Sequence, residues 1–321
     1  MNPADSEAAA GEKARRKDKK QKRKKSKDAM KDDCGAMTAG EGAPHEKKQQ
    51  KQRKVGGKGE EKKMLKPTVS IAVAGSIIDN AQSLELATLL AGQIARAATV
   101  FRIDEVVVFD STPALENGSA GDGEESGARF LVRILEYLET PQYLRRRLFP
   151  MHKNLKYVGL LPPLDAPHHV RKHEWSEFRE GYISPGAVGV TLEGDRSKGT
   201  LVDVGLSKNV LVEQILEPGK RVTVAMGTNR DLTTACVRKV VPPSIPREEM
   251  GSYWGYKVRY ASNLSGVLKN SPYKGKHAND VFTSYLNTCP NQGSRTIRTE
   301  EALLISLQYF QDPIRRVEQQ M

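Results

Sequence analysis

The stretch that decides the fold of this chain reads Asn287-Thr288-Cys289-Pro290-Asn291-Gln292-Gly293-Ser294-Arg295-Thr296-Ile297-Arg298-Thr299-Glu300-Glu301. Just before it, Phe282 to Leu286 has the composition of a strand, and Pro290 and Gly293 then favour a loop. Thr299 is a suitable N-cap for the next helix, because its hydroxyl can accept a hydrogen bond from a free amide of the first turn. The pattern predicts a strand, a polar loop and a helix, in that order.

The loop in this stretch is rich in small and hydroxylated residues and carries two arginines, Arg295 and Arg298. Its backbone amides are expected at the C-terminal end of a strand, which is where open α/β sheets bind their ligands. The residues therefore predict a ligand-binding loop. An ordinary surface loop is the alternative that the local pattern leaves open.

Most of the positive charge of the chain lies in its first 66 residues. The 321 residues carry a net charge of +12, and residues 1–66 hold 21 Lys and Arg against 11 Asp and Glu, whereas the remainder holds 30 against 28. This tail contains few large apolar side chains, so it cannot bury enough surface to offset the entropy of ordering. We predict a disordered basic tail.

A basic block from Lys19 to Lys27 stands out within the tail. Such a block is typical of nuclear or nucleolar import signals and of arms that bind RNA phosphates. A solvated segment that only promotes solubility is the alternative. The residues predicted to contact RNA are Lys22, Arg23, Lys24 and Lys25.

The sequence contains no pattern for disulfides, metal binding or membrane insertion. Cys34, Cys236 and Cys289 are far apart and form no CxxC pair, which indicates a reducing compartment. His169 and His173 have helical spacing but match no recognised zinc pattern. No apolar run approaches the roughly 18 residues of a membrane span, and the N-terminus lacks the apolar segment of a secretory signal.

The folded part is predicted to begin at Thr68 with a βαβ unit. A strand at Val69–Val73 leads to a helix with Ser83 as its N-cap, and Glu105–Asp110 then forms a continuous apolar run. Such a run favours a strand buried on both faces of a parallel sheet. A polar, Gly-rich flexible loop is predicted at Ser111–Gly127.

Three further elements are predicted before residue 181: a helix over Phe130–Leu138, a short helix over Pro141–Phe149 and a strand at Tyr157–Leu161. The short helix carries three consecutive arginines, for which a contact with RNA phosphate and a solvated helix face are equally open. These residues are Arg145, Arg146 and Arg147.

After Gly181, six short β-rich runs alternate with turns, at 187–191, 200–204, 210–212, 222–226, 236–241 and 254–260. This spacing predicts a small OB-like barrel, a fold that often binds oligonucleotides. Trp254 and Tyr256 are candidates for stacking on bases, with a place in the core as the alternative.

Several of these stretches together resemble the motifs of SPOUT-class (trefoil-knot) RNA methyltransferases, in the archaeal and eukaryotic branch that carries an OB-like insertion. The resemblance extends over about residues 67–307. It rests on Ala74–Gln82, Glu105–Asp110, Pro167–His169, Ser176–Gly181, Tyr253–Arg259 and Asn287–Ala302.

This resemblance implies an α/β fold with a parallel sheet and a C-terminal knot at 67–180 and 261–321, interrupted by the barrel at 181–260. It also implies a homodimer that methylates RNA, with rRNA or a pre-ribosome as partner and S-adenosylmethionine as cofactor. Arg295, Arg298 and Glu180 are candidates for positioning charge, and no general base is recognised. The loop implied to hold the adenosine comprises Asn287, Thr288, Cys289, Pro290, Gly293, Ser294, Arg295, Thr296, Ile297 and Arg298.

The chain departs from this family between Tyr260 and Asn287. Two segments expected there, a Thr-Ser-Glu-Arg-Gly-like loop and a Val-Val-Phe-Gly-Gly-like strand and loop, are missing, which amounts to about 45–50 residues. We therefore predict weak or no cofactor binding. A catalytically impaired RNA- or ribosome-binding protein is the first alternative. A spindle or kinetochore interaction protein is the second, with the cytoplasm or the mitotic apparatus as its location instead of the nucleus.

Overall fold

The computed structural model describes residues 67–110, 125–191, 198–233, 236–269, 271 and 282–320. The basic block of the tail and the predicted loop at 111–124 lie outside these residues. The strands are β1 (Ser70–Ala74), β2 (Glu105–Phe109), β3 (Phe178–Thr191), β4 (Lys198–Asp203), β5 (Val210–Val212), β6 (Arg221–Ala225), β7 (Lys239–Val241) and β8 (Lys257–Ala261). The α-helices are α1 (Leu84–Val100), α2 (Gly127–Glu139), α3 (Gln142–Leu148), α4 (Ile245–Met250), α5 (Leu264–Lys269), α6 (Thr299–Tyr309) and α7 (Gln311–Gln319).

The predicted βαβ unit is confirmed. β1 and β2 pair in parallel with Ser70 opposite Glu105. The connecting helix α1 is capped by Ser83, whose Oγ accepts a hydrogen bond from the Leu86 amide at 3.2 Å. Val106 and Val108 of β2 are fully buried, because α1 and α2 supply the apolar core against which the sheet packs.

The third strand of the parallel sheet is β8, on the free side of β2, so the order is β1-β2-β8. The sequence pattern had placed this run, 254–260, in the barrel, and that prediction was wrong. Tyr256 lies in the same core as β2, and Val258 packs against that core. This long-range packing decides the pairing, and a local β pattern does not contain it.

β3 to β7 form a separate five-stranded antiparallel sheet in the order β5-β4-β3-β6-β7. The sheet curls around its own core, which includes Ile183, Val202 and Val224. Its two edges meet, because the Arg238 amide donates to the Leu211 carbonyl at 2.7 Å. The short β-rich runs predicted at 187–241 therefore do build one curled sheet.

Two predicted strands do not form. Tyr157–Leu161 contains a single 3₁₀ turn, Val158–Leu160, and Leu160 is 56% exposed. Phe282–Leu286 forms no strand either, and Tyr285 is fully exposed. Both runs have strand-like composition, but neither has a sheet neighbour among the described residues, and a strand without a partner is not stable in water.

None of the helices in the described ranges is both long and apolar enough to cross a lipid bilayer.

Candidate functional site

The loop Asn287–Arg298 is folded into tight turns that are held mainly by its own side chains. Asn287 Oδ1 accepts a hydrogen bond from the Cys289 amide at 3.0 Å, and Gln292 Nε2 donates one to the Ser294 carbonyl at 3.0 Å. The hydroxyls of Thr288 and Ser306 lie 2.9 Å apart and attach the loop to α6. The predicted binding residues are thus brought together in one compact loop.

The helix after this loop begins one residue earlier than expected. Arg298, and not Thr299, occupies the N-cap position, and the Glu301 carboxylate accepts the Arg298 amide at 2.9 Å. The prediction of a Thr299 cap was wrong because Glu301 satisfies a free amide instead. Leu307 is 5% exposed in the core beside α1, so α6 fixes the loop to the parallel sheet.

One side of the loop is open. Most of its residues are exposed, and only Thr288, Cys289 and Ile297 are half-buried. Within the described part of the chain, the amides of residues 293–296 donate to no protein acceptor. The loop can therefore offer several backbone donors to a ligand, as loops at helix N-termini do.

A second cluster of polar side chains is buried between α2 and the antiparallel sheet. Arg221 Nη1 lies 2.5 Å from Glu139 Oε2, and Arg221 Nε lies 2.6 Å from Glu180 Oε2. Trp254 Nε1 and Thr223 Oγ1 each donate to Glu180 Oε1 at 2.7 Å. The cluster therefore fastens β3 and β6 to the segment that leads into β8.

Two histidines and a glycine complete this ion cluster. The Glu139 carbonyl lies 2.7 Å from His169 Nε2, and the Glu139 carboxylate lies 3.0 Å from His168 Nε2. Gly255 has φ of +85°, and a Cβ atom there would lie 2.3 Å from Glu139 Oε1. Only glycine fits this position, because both the backbone angle and the close approach exclude a side chain.

The ion cluster shifts the pKa of its members, among them Glu139 and His169. Burial alone would raise the pKa of the Glu139 carboxyl, but the Arg221 charge and the hydrogen bond from His168 outweigh it and hold this pKa at about 2. Burial, with the neighbouring His168, lowers the pKa of His169 to about 4. The Glu139 carboxyl therefore stays ionised, and the His169 ring stays neutral, at pH values well below 7.

The stability of the protein is expected to fall as the pH is lowered from about 6.5 to about 4. His169 binds its proton at about pH 4 in the folded state and at 6.5 when unfolded. Between these pH values the unfolded state therefore binds more protons than the folded state. Lowering the pH across this range reduces the free energy of unfolding by on the order of 3 kcal/mol. Below about pH 4.5, protonation of the Glu139 carboxyl in the unfolded state lowers the free energy of unfolding further.

Urea unfolding between pH 7 and pH 4 measures this dependence. His169→Gln removes the titrating ring and should flatten the curve in that range. His173→Gln is the matched control, because His173 is exposed. An unchanged pH dependence in His169→Gln would show that another group is responsible.

A cleft of about 1010 Å³ adjoins the ion cluster, between β8 and the antiparallel sheet. Its walls include Val240, Tyr256 and Lys257. Its charged groups are largely paired with one another, as Arg247 is with Asp104. The cleft therefore offers few free groups to a polar ligand.

Comparison with known proteins identifies the family. A family model described as "Putative RNA methyltransferase" matches residues 68–284 and 273–310. The 28S rRNA (uridine-N(3))-methyltransferases of Homo sapiens and Mus musculus are each 41% identical, over 76% and 78% of this chain and 78% and 77% of their own lengths. The enzyme of the same name from Drosophila melanogaster is 40% identical over 77% of this chain and 62% of its length.

The chain belongs to this RNA methyltransferase family. The same comparison shows that part of the relative has no counterpart in this chain. The alignment with the human methyltransferase extends over 298 positions, whereas 76% of 321 residues is about 244, so about 54 positions lie opposite no residue of this chain. The family model, too, matches in two pieces, which overlap at residues 273–284. Both observations agree with the missing segment that the sequence indicates between Tyr260 and Asn287.

RNA methyltransferases use a methyl donor, and the predicted adenosine loop fits such a donor only in part. Its free amides at 293–296 suit the polar edge of an adenine or a ribose. However, small-molecule sites bury about 70–90% of their ligand. Most residues of the loop are exposed, so the described residues enclose much less of a ligand than that. The described loop would therefore enclose a methyl donor only in part.

The three arginines predicted to contact RNA have separate roles. Arg145 donates to the Thr140 carbonyl at 2.9 Å and the Leu138 carbonyl at 3.0 Å, so it caps the end of α2. Arg146 and Arg147 are exposed, and they remain candidates for an RNA contact in this methyltransferase chain.

The aromatic residues proposed to stack on bases are buried. Trp254 is 8% and Tyr256 5% exposed. Trp254 donates to Glu180 and Tyr256 to the Leu135 carbonyl at 3.0 Å, so both belong to the core. The stacking prediction was wrong for these two rings. Glu180 is 3% exposed, so it cannot position RNA and serves the ion cluster.

Among the described residues, no group of three or more His, Cys, Asp or Glu side chains is arranged to hold a metal ion. Sequence reasoning missed Glu139 and Arg221, which lie 82 positions apart and meet only in the folded chain. It also missed Arg179, which is fully buried and donates to the Glu174 and Val204 carbonyls. The only signal in the sequence was a charged residue within an otherwise strand-like run.

Proposed function

We propose that this chain is an rRNA methyltransferase that transfers a methyl group from S-adenosylmethionine to N3 of a uridine in the large-subunit rRNA. The observation that carries the proposal is the 41% identity to the human 28S rRNA enzyme over 76% of this chain. At this level and extent of identity, both the fold and the reaction are usually shared. The basic block Lys22–Lys25 supports a nucleolar location, where rRNA is made and modified.

The architecture supports a SPOUT-like domain interrupted by an OB-like insertion that comprises β3 to β7, with β8 belonging to the parallel sheet. The return of the chain to the parallel sheet at β8, after the antiparallel sheet, is what an insertion requires. The contact between the edges of that sheet, at Leu211 and Arg238, favours a barrel. A C-terminal knot and a homodimer remain part of this proposal.

The protein's contribution to such a reaction is mainly positioning. The cofactor, when bound, supplies a methyl group on a positively charged sulfur that is already electrophilic. The loop 287–298 would hold the adenosine through backbone groups, and the RNA-binding surface would align the uridine and exclude water. Arg295 and Arg298 are exposed at this loop and would face the RNA phosphates.

The second candidate function is an RNA- or ribosome-binding protein without catalysis. The observation that favours it is that about 54 alignment positions have no counterpart in this chain, together with the one-sided loop. Weak cofactor binding is common to both candidates, so cofactor affinity alone does not separate them.

Transfer of a tritiated methyl group to rRNA separates the two candidates when it is measured beside RNA binding. If the chain is a methyltransferase, tritium is expected in the RNA. The amount of label should increase with S-adenosylmethionine concentration and should not saturate in the micromolar range. Binding of rRNA with no label at any cofactor concentration would select the second candidate. A variant with Ser294, Arg295 and Thr296 deleted serves as the control, because it removes part of the loop 287–298.

A further inference from the structure

Trp175 lies half-exposed close to three segments that each carry one or two exposed cations. It follows Arg171-Lys172-His173-Glu174 in the sequence. Its Nε1 donates to the Gly227 carbonyl at 2.8 Å, which ties it to the loop after β6. Its ring packs against the core of the curled sheet, and part of it faces solvent. Trp175 is thus a fixed aromatic ring in basic surroundings.

The neighbouring segments are held in place by two buried arginines. Arg179 Nη1 donates to the Glu174 carbonyl at 2.8 Å, and its Nε donates to the Val204 carbonyl at 2.9 Å. Arg238 Nη2 donates to the Asn229 carbonyl at 2.7 Å, and its guanidinium carbon lies 5.9 Å from the Trp175 ring centre. The segment 171–175 and the loops after β4 and β6 therefore form one ordered surface.

This surface carries cations that are free to bind a ligand. Lys172, Lys208 and Arg230 are exposed and make no hydrogen bond or ion pair with any described residue. The hydrogen bonds from Thr233 lower the pKa of the Asp231 carboxyl, and the charges of Arg238 and Lys208 add to this effect. Lys208 is therefore near Asp231, so the loops after β4 and β6 are neighbours.

The acidic residues on this surface are engaged in local turns. Glu174 accepts the Arg171 amide at 3.1 Å. Asp203 accepts the Gly205 amide at 3.0 Å, and Asp231 accepts the Thr233 amide at 2.9 Å. These carboxylates keep their charge but are held in local turns, whereas the side chains of Lys172, Lys208 and Arg230 are not tied to any described residue.

We infer that the surface formed by Arg171, Lys172, Trp175, Lys208 and Arg230 binds single-stranded RNA, with one base against Trp175 and the phosphates on the free cations. We call it the Trp175 surface. Single-strand binding sites combine an aromatic ring with a basic groove in this way. The inference rests on the proposed function, because it names the surface that would receive the RNA substrate. It replaces Trp254 and Tyr256 as the stacking site.

The role of the ring is tested in the full-length chain by the affinity for single-stranded oligouridine. Trp175→Leu keeps an apolar side chain against the core but removes the aromatic face, and it should weaken binding by about tenfold. Trp175→Phe keeps a ring while losing the bond to Gly227, and it should bind within about twofold of wild type. Equal affinities for the Leu and Phe variants would overturn the stacking role.

The role of the cations is tested by the salt dependence of the same affinity. Neutralising Lys172, Lys208 and Arg230 to Gln should reduce the slope of log K against log salt by about 2, since each phosphate contact on a single strand contributes about 0.7. The matched control neutralises three exposed cations elsewhere, Lys220, Arg315 and Arg316. Lys220 lies at the opposite end of β6 from Gly227, roughly 20 Å away at the usual rise of a strand.

The outcomes separate this inference from the proposed function, because RNA binding needs no cofactor. Methyl transfer by wild type with unchanged RNA affinity in both sets of variants would overturn the Trp175 surface and leave the function standing. RNA binding that depends on the Trp175 surface, without any methyl transfer, would support the surface and contradict the proposed function. Heparin carries charge without bases, so its binding should not depend on residue 175. If Trp175→Leu weakened heparin binding and Trp175→Phe did not, as expected for oligouridine, base stacking would be contradicted.

Discussion

Replacing Arg221 by methionine is expected to lower the free energy of unfolding by about 3–5 kcal/mol, because two carboxylates lose their buried counter-charge. Glu139 is 8% and Glu180 3% exposed, so neither can recover the lost contacts from water. Because methionine fills much of the arginine volume, little cavity is left. The decrease in the free energy of unfolding therefore reports mainly the lost charge and hydrogen bonds.

Arg315→Met is the matched control for Arg221→Met. Arg315 lies 2.9 Å from Asp312 in an exposed i,i+3 pair, and such pairs contribute at most about 1 kcal/mol. Urea unfolding at pH 7 compares the two variants. A loss below about 1 kcal/mol for Arg221→Met would show that the ion cluster does not hold the two sheets together.

Restoring the missing segment is expected to raise the affinity for S-adenosylmethionine at least about 100-fold, which is about 2.7 kcal/mol. The change is to insert the part of the human relative that corresponds to the segment missing between Tyr260 and Asn287 of this chain. The one-sided loop 287–298 would then gain the facing walls that a site needs to bury most of its ligand. Wild type should bind more weakly than about 100 µM.

Isothermal titration measures both affinities. A Gly- and Ser-rich linker of the same length, inserted at the same place, is the control, because it lengthens the chain without supplying walls. Micromolar binding by wild type would contradict the partly enclosed site, and so would an equal gain from the linker.

The parts of the fold that the sequence could predict are those with local patterns. α1 has a capping serine and a helical apolar spacing, and β2 is a continuous apolar run, so each could be located from neighbouring residues alone. The loop 287–298 was also located from its own composition and its resemblance to the family. These features need no knowledge of distant parts of the chain.

The rest depends on contacts between distant residues. β8 could not be assigned to the parallel sheet from its own sequence, because its partner β2 lies about 150 positions earlier. Phe282–Leu286 has strand-like residues but no strand to pair with among the described residues. Trp254 and Tyr256 have the residue type of a stacking platform, and only the packed structure shows that their polar atoms serve the core. Trp175 has the same residue type and lies at the surface.

The most direct test of the proposed activity is nucleoside analysis by mass spectrometry of large-subunit rRNA incubated with this chain and S-adenosylmethionine. The rRNA should come from cells that lack the modification. N3-methyluridine is expected in this rRNA, in an amount that increases with cofactor concentration well beyond the micromolar range. rRNA that is bound by the protein but carries no new methyl group at any cofactor concentration would contradict it.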